Sequence, residues 1–526
     1  MTEMAALPKS GVVEHVNDVN LVKSIPIDEK RDIEEASEPS LAAVANSKHG
    51  CYQPANDYEK AMDSRINLKL DVIVMILLGL NFMLTGIDKT NIGNAATTNF
   101  VQEANLDKDD IGNATSLFAA TFVTLQPFSI ILGRYVGPKR WMSILIFLWG
   151  GMTMAHAAIK NRATLIACRL LLGAFEAGFY PSAMFYVSCM FPRYQLARRV
   201  GMVSALFVLG SAVSGLVAYG IFHHLPNEKL YDWQILFLVE GGVTVGMAFI
   251  TFLVLPRNVS KSWFLNAEEK AHASRRMKID LGSSAEIDAD GNVHIHRHTS
   301  KQDVIDAVKD WPKILTMVTN MLTVLPVSAF GVFLPLIVQG MGYSGIRANL
   351  MVVPPFVLGA IGLLVCVNIS DRTHQRAYVA IAGTMCSFVG LVVMESSSNP
   401  KLRYGFTNIC LLGTFVGGPL GLAWIMGNTP GAGKRAVMIG LNGWANVGSV
   451  IAGQIFKAKY KPAYKKPLGI MLGLEAVAIV MIAGIRIYYA RVNKHRQKLL
   501  SQLTEEERIA EAAKPAEKSL LWSYTL

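Results

Sequence analysis

The chain has 526 residues, of which 52% are hydrophobic and only 17% charged, with 44 glycines and a formal net charge of +11. Soluble domains carry about 25% charged residues, and a water-soluble chain of this length needs several separate cores. Here the apolar residues fall instead into long runs divided by short charged punctuation, which sets a soluble enzyme aside and points to the membrane. No compact basic domain with stacking aromatics accompanies the positive charge, so nucleic acid is not the partner it implies. The six cysteines are scattered and none forms a CxxC pair, which indicates neither a disulfide framework nor a zinc site.

In chain order, residues 1–65 are polar and of mixed charge, and they lack the apolar core of a signal peptide. They read as a disordered tail. A membrane span takes about 20 mostly apolar residues, and candidates lie near 68–97, 112–132, 142–159, 164–190, 199–222 and 235–255. A polar central loop follows over 256–311. Six more candidates lie near 313–339, 348–369, 376–395, 402–427, 434–456 and 468–490, before a basic tail over 492–526. The expectation is an all-α polytopic membrane protein, with twelve transmembrane helices in two six-helix bundles over 66–255 and 312–491. In such a layout the substrate site lies near the midplane between the halves.

An even number of spans puts both tails on one side. Arg134, Lys139, Arg140, Arg193, Arg198, Arg199, Arg372, Arg376, Lys434, Arg435, Arg491, Lys494 and Arg496 fall in loops or tail on that side, which predicts cytoplasmic tails. The loop with Lys457, Lys459, Lys461, Lys465 and Lys466 falls on the opposite side and goes against the rule; it is either a solvated loop or a patch that draws in anions. Within the central loop, the stretches Trp263–Lys270 and Asp303–Trp311 read as amphipathic surface helices, with Asn266 and Glu269 spaced as a capping box. His294, His296 and His298 alternate with non-ligand residues, as a flexible loop or, less in keeping with its surroundings, a metal site.

Charges inside spans are costly and face a cavity or a partner. The first set is Asp88-Lys89, followed by Thr90, Asn91 and Asn94 in the first span. The second is Arg169, Gly173, Glu176 and Tyr180, at i, i+4, i+7 and i+11, hence on one stripe of a helix. Arg169 and Glu176 stand about 10 Å apart along the axis at 1.5 Å per residue, a separation that suits two stations in one cavity better than a direct ion pair. On the functional reading, Lys89 and Arg169 hold a substrate carboxylate, with Asn91 and Tyr180 beside them, while Asp88 and Glu176 carry protons. The competing reading is a network that only locks the N-terminal bundle; buried ion pairs are poor stabilisers by themselves, which favours the first. Glu240 and Glu475 read chiefly as helix-packing partners. Asn442 and Trp424, among the polar set Asn408, Asn428, Trp444 and Asn446, are candidates for the wall contributed by the C-terminal half, or else helix-packing amides.

The run Gly427–Arg435 looks like a phosphate loop at a glance, but its first glycine stands one place too early and Arg435 replaces the required Ser or Thr. No HExxH, GxSxG or GxGxxG occurs in a suitable context, so neither covalent catalysis nor a cofactor is indicated; a proton gradient is the energy source expected.

From about residue 66 to 490 the chain resembles the major facilitator superfamily, and within it the anion:cation symporters of the fungal allantoate and nicotinic acid permease type. The resemblance rests on Asp88–Ala95, Gly137-Pro138, Arg169–Pro181, Asp232-Trp233-Gln234, Trp263-Phe264-Leu265, Lys434-Arg435-Ala436 and Gly453-Gln454-Ile455-Phe456. It implies alternating access and proton-coupled import of a small carboxylate. Related bacterial sugar-acid symporters pair a carboxylate and a basic residue in the first helix with an Arg and a Glu seven apart in the fourth, the pattern on which Asp88, Lys89, Arg169 and Glu176 fall. Lys89 stands where that pattern often has arginine, which removes a bidentate fork. The expected protein is a monomeric plasma-membrane proton symporter for a nicotinate-like monocarboxylate. An exporter of an acidic metabolite and a non-transporting nutrient sensor are the alternatives.

Overall fold

The computed structural model describes residues 54, 56–107, 109–192, 196–224, 230–281, 285–287, 293–295, 301–343, 345–373, 375–429, 432–504, 520 and 523–526. Arg193, His296, His298, most of the expected N-terminal tail and residues 505–519 lie outside them. The N-terminal half comprises α1 (Asp57–Leu70), a π turn (Asp71–Met75), α2 (Ile76–Ala95), the short α3 (Phe100–Glu103), α4 (Asp110–Val136), α5 (Pro138–Ala155), α6 (Arg162–Glu176), α7 (Phe179–Met190), α8 (Leu196–His224) and α9 (Asp232–Val254). The central segment holds α10 (Ala267–Leu281), an antiparallel pair of three-residue strands, β1 (Ala285–Ile287) and β2 (Val293–Ile295), and α11 (Lys301–Lys309). The second half comprises α12 (Trp311–Gln339), α13 (Gly345–Met351), α14 (Val353–Thr373), α15 (Arg376–Ser396), α16 (Pro400–Thr414), α17 (Gly417–Gly427), α18 (Ala432–Asn442), α19 (Val447–Ile455) and α20 (Lys465–Leu500).

Ten of the resulting helical stretches are long and apolar enough to cross a membrane. The 27-residue α4 and the α18–α19 pair, joined by a 3-10 turn at Gly443–Asn446, complete twelve crossings. Hydrocarbon offers the backbone no partners, so each crossing must satisfy its own N–H and C=O groups as helix. Local signals set many of the ends. Asn161 caps α6 by accepting from the Thr164 N–H at 2.9 Å, Pro138 opens α5 where its missing N–H costs nothing, and Asn399 caps α16. Apolar faces such as Leu253, Val480 and Phe249 remain exposed on the outside of the bundle, as a lipid-facing surface requires.

One expectation is corrected. The tail was expected to run to residue 65, yet helix begins at Asp57 and continues to Ala95 as a 39-residue stretch. Asn56 caps it by accepting from the Glu59 N–H at 2.7 Å. Its charged first turns are paired with α10: Lys69 Nζ lies 2.7 Å from both Glu269 oxygens, Arg276 and His272 lie 3.1 and 3.0 Å from Asp63, and Tyr58 donates to Glu268. These polar residues are helical because a second helix supplies their counter-charges. Likewise α20 continues to Leu500, into the stretch expected as tail. The Asn266–Glu269 capping pair is formed, the Asn266 N–H donating to Glu269 at 2.9 Å. At its other end the central segment is held to the C-terminal half, where Asp310 accepts from Lys313 at 2.6 Å and Lys434 at 2.8 Å.

The halves interlock on the side opposite the tails. There α2 packs on α12, α8 on α13 and α14, and α4 on α19. The approach is close enough for backbone to meet backbone: a Cβ on Gly93 would stand 1.9 Å from the Val332 carbonyl oxygen, and one on Gly112 2.4 Å from that of Gly453. Asn349 donates to Thr97 Oγ1 at 3.0 Å, and Asp109 accepts from the Ala458 N–H at 2.8 Å. The largest apolar cluster spans this seam, with Phe333 stacked on Phe456 at 4.9 Å.

Candidate functional site

A cluster of charged side chains lies inside the N-terminal half, on α2 and α6. Asp88, on α2, is 1% exposed and accepts from Trp149 Nε1 at 2.7 Å, Thr153 Oγ1 at 2.9 Å and Asn91 Nδ2 at 3.4 Å. Trp149 and Thr153 belong to α5, so Asp88 points into its own bundle. Lys89 is one residue on, about 100° around the helix, and faces the other way. Its ammonium sits between Phe122 of α4 and Phe207 of α8, 5.1 and 5.2 Å from the ring centroids. Both rings can hold a cation by their faces.

Arg169, 3% exposed on α6, donates from one guanidinium nitrogen to Asn91 Oδ1 at 3.3 Å, while its Nε is buried without a partner. Asn91 therefore couples Arg169 to Asp88 through its amide, accepting from one and donating to the other. Glu176, seven residues along, is also 3% exposed, and its Oε2 is buried without a hydrogen-bond partner. Asp88, Lys89 and Arg169 are the charges that act on it. None of the four lies within 4.0 Å of an opposite charge among them, so no direct ion pair joins them. Tyr180 stands half-buried with its ring edge-on to Phe82 at 5.5 Å.

Sequence reasoning missed the environment of these groups. Trp149, Thr153, Phe122 and Phe207 sit in other apolar runs, and nothing in their spacing marks them as neighbours of Asp88 or Lys89. Glu240 was read as a brace. It is 4% exposed, accepts from Ser214 Oγ at 3.3 Å and leaves Oε2 unpartnered, while Ser214 in turn accepts from Asn94 at 2.8 Å. His156 completes the buried set, its Nδ1 2.7 Å from the Met152 carbonyl oxygen and its Nε2 unpartnered.

The C-terminal half differs in kind. Asn442 accepts from Asn320 Nδ2 at 2.7 Å, at the break between α18 and the 3-10 turn. The next residue, Gly443, lies against Gln126 of α4, so this amide pair stands beside the contact between the halves. Trp424 is directed elsewhere: its indole N–H donates to the Thr525 carbonyl at 2.8 Å, on the tail side. Glu475 accepts from Ser387 at 2.6 Å inside the bundle, the packing role expected of it. Asn408 donates to the Tyr404 carbonyl of its own helix and Asn446 to that of Gly443. The described residues hold no group of His, Cys, Asp or Glu arranged for a metal ion.

Comparison with known proteins bears on this arrangement. The sequence model described as Major Facilitator Superfamily matches residues 78–453. The High-affinity nicotinic acid transporter of Saccharomyces cerevisiae is 31% identical over 471 residues, covering 89% of this chain and 85% of that protein. The Major facilitator-type transporter hxnP of Emericella nidulans is 28% identical over 477 residues, covering 87% and 92%. Among solved structures, the partially occluded inward-open xylose transporter XylE of E. coli aligns with a TM-score of 0.58 at 12% identity, covering 79% of this chain and 98% of that one. A bacterial homologue of the human lysosomal transporter Spinster aligns with a TM-score of 0.57 at 14% identity, covering 78% and 95%. These two likenesses concern the fold.

Proposed function

Since this chain belongs to the Major Facilitator Superfamily, we propose that it is a secondary active transporter that couples proton entry to uptake of a small organic anion of the nicotinate type. That it is a multi-pass membrane transporter follows from the family; the coupling and the cargo are our reading. We place both tails in the cytoplasm, the membrane as the plasma membrane and the working unit as a monomer.

The observation that carries the reading is the separated set of the half-buried Lys89 and the buried Arg169 and Glu176. A charge held in hydrocarbon without an ion-pair partner is expensive, and a visiting carboxylate and a proton are the partners that fit. A protonated Glu176 is neutral and ceases to compete with the cargo for the ammonium of Lys89. Loss of the proton on the cytoplasmic side restores the negative charge beside Lys89 and expels the anion. Coupling thus arises from competition for one cation, with Asn91 keeping Arg169 oriented through its link to Asp88. The rings of Phe122 and Phe207 beside Lys89 suit an aromatic acid, and the cargo named for the yeast relative is such an acid. On the opposite wall the neutral amides Asn320 and Asn442 complete the proposed pocket.

The test is counterflow and net uptake of labelled nicotinate in proteoliposomes, with and without an acid-outside gradient. Accumulation that follows the gradient and collapses with a protonophore supports the proposal. Exchange that ignores the gradient contradicts proton coupling. Binding without exchange identifies a sensor, and accumulation only with the gradient reversed identifies an exporter.

A further inference from the structure

Residues Ser523–Leu526 are seated in a groove on the tail side of the C-terminal half, walled by α15, α17 and α20. The contacts are those of a built peptide site. Asn493 of α20 takes both backbone groups of Tyr524, accepting from its N–H and donating to its carbonyl, each at 2.8 Å. Asn428, at the end of α17, does the same for Thr525, accepting from its N–H at 2.8 Å and donating to its carbonyl at 3.2 Å. Trp424 Nε1 adds a second bond to that carbonyl at 2.8 Å, and the Arg376 N–H donates to the Leu526 carbonyl at 2.7 Å. The Tyr524 ring stacks on Tyr489 at 4.4 Å and 11°, with the Arg496 guanidinium 5.1 Å from its centroid. Side-chain amides read an extended backbone whatever its sequence; the stacked ring adds the preference.

What this segment joins gives the site a consequence. Helix α17 follows α16 across the turn at Phe415-Val416, and its tail-side end, at Gly427-Asn428, is where the segment docks. The segment ties that end to the start of α15 and to α20. Farther along, α17 presses Gly421 against Asn320, where a Cβ would stand 1.7 Å from Oδ1, and Asn320 donates to Asn442. We propose that Asn428, Asn493 and Trp424 form a binding site for an extended segment bearing an aromatic residue. The chain's own Tyr524–Leu526 occupies it, and this occupancy clamps α17 and so the amide wall of the central pocket. The link to the pocket rests on the transporter reading; the binding site does not.

Amide hydrogen exchange on the full-length purified protein tests the site without any cargo. In the unaltered chain the amides of Arg376, Tyr524 and Thr525 should exchange at least 10-fold more slowly than in an unstructured peptide. In the variant Tyr524→Ala with Thr525→Pro, which removes the ring and one N–H, protection of Arg376 and of 424–428 should fall. A synthetic Ser-Tyr-Thr-Leu peptide added to a variant lacking 523–526 should restore it, and Tyr524→Phe should keep it. Exchange of residues 523–526 at the unstructured rate in the unaltered chain overturns the site. Uptake then tests the clamp: the released variant should change its initial rate at least twofold. Loss of protection with an unchanged rate overturns the clamp and leaves the transporter reading standing.

Discussion

Gly93→Ala tests whether closure on the side opposite the tails is a distinct state of the molecule. The glycine belongs to α2, and a Cβ there would stand 1.9 Å from the Val332 carbonyl oxygen of α12. Real Cβ contacts essentially never fall below 3.0 Å, so the two helices must part by about 1.1 Å or more. The obstacle is backbone, and no change of rotamer relieves it. Overpacking of this kind costs about 1–3 kcal/mol. Because the contact joins the two halves, the cost falls on the closed state alone and should shift the balance about 5- to 150-fold toward opening on that side. The assay is labelling of Thr97→Cys by a membrane-impermeant maleimide, in a background with the six native cysteines replaced. Thr97 is 7% exposed at the seam, and labelling from the side opposite the tails should quicken at least about 5-fold. An unchanged rate in a folded Gly93→Ala protein refutes the argument that this seam opens as a unit.

Other variants probe the charged cluster and its support. Glu176→Gln should abolish gradient-driven accumulation while counterflow of nicotinate stays measurable; uphill uptake that survives while exchange is lost contradicts the proton role. Arg169→Ala should weaken carboxylate binding at least about 10-fold, the scale of a charged hydrogen bond; an unchanged midpoint in a ligand thermal-shift series removes the guanidinium from the anion site. The Glu269 carboxyl is pushed upward by burial, but the Lys69 ammonium and the Asn266 N–H outweigh this and hold it below its ordinary value. Its contribution is therefore full at neutral pH and fades as pH falls through that lowered value. Amide protection of α10 should decline on acidification below about pH 4, and Glu269→Gln should show the weakened protection at every pH. A pH-independent α10 in the unaltered chain would remove Glu269 from the clasp.

The twelve crossings were legible because hydrocarbon thickness imposes a length on every apolar run, and little else is needed to find them. The start of the first helix was not, because residues 57–65 are polar and become helical only with the counter-charges of α10, some 200 positions away. In the cluster, the cost of burying charge singled out Asp88, Lys89, Arg169 and Glu176 without any neighbour being known. Their directions were hidden. Asp88 and Lys89 are adjacent in sequence yet point to α5 and to the α4–α8 rings, and only packed helices decide which residue meets which. Trp424 shows the same limit, since its partner Thr525 lies 101 residues away, beyond two further crossings.

The division of labour between the halves has a practical reach. Asp88, Lys89, Arg169 and Glu176 sit on one side of the seam, whereas Asn320 and Asn442, across it, are uncharged amides. On the proposed mechanism, substitutions at Asn320 and Asn442 should shift cargo preference while leaving proton coupling in place.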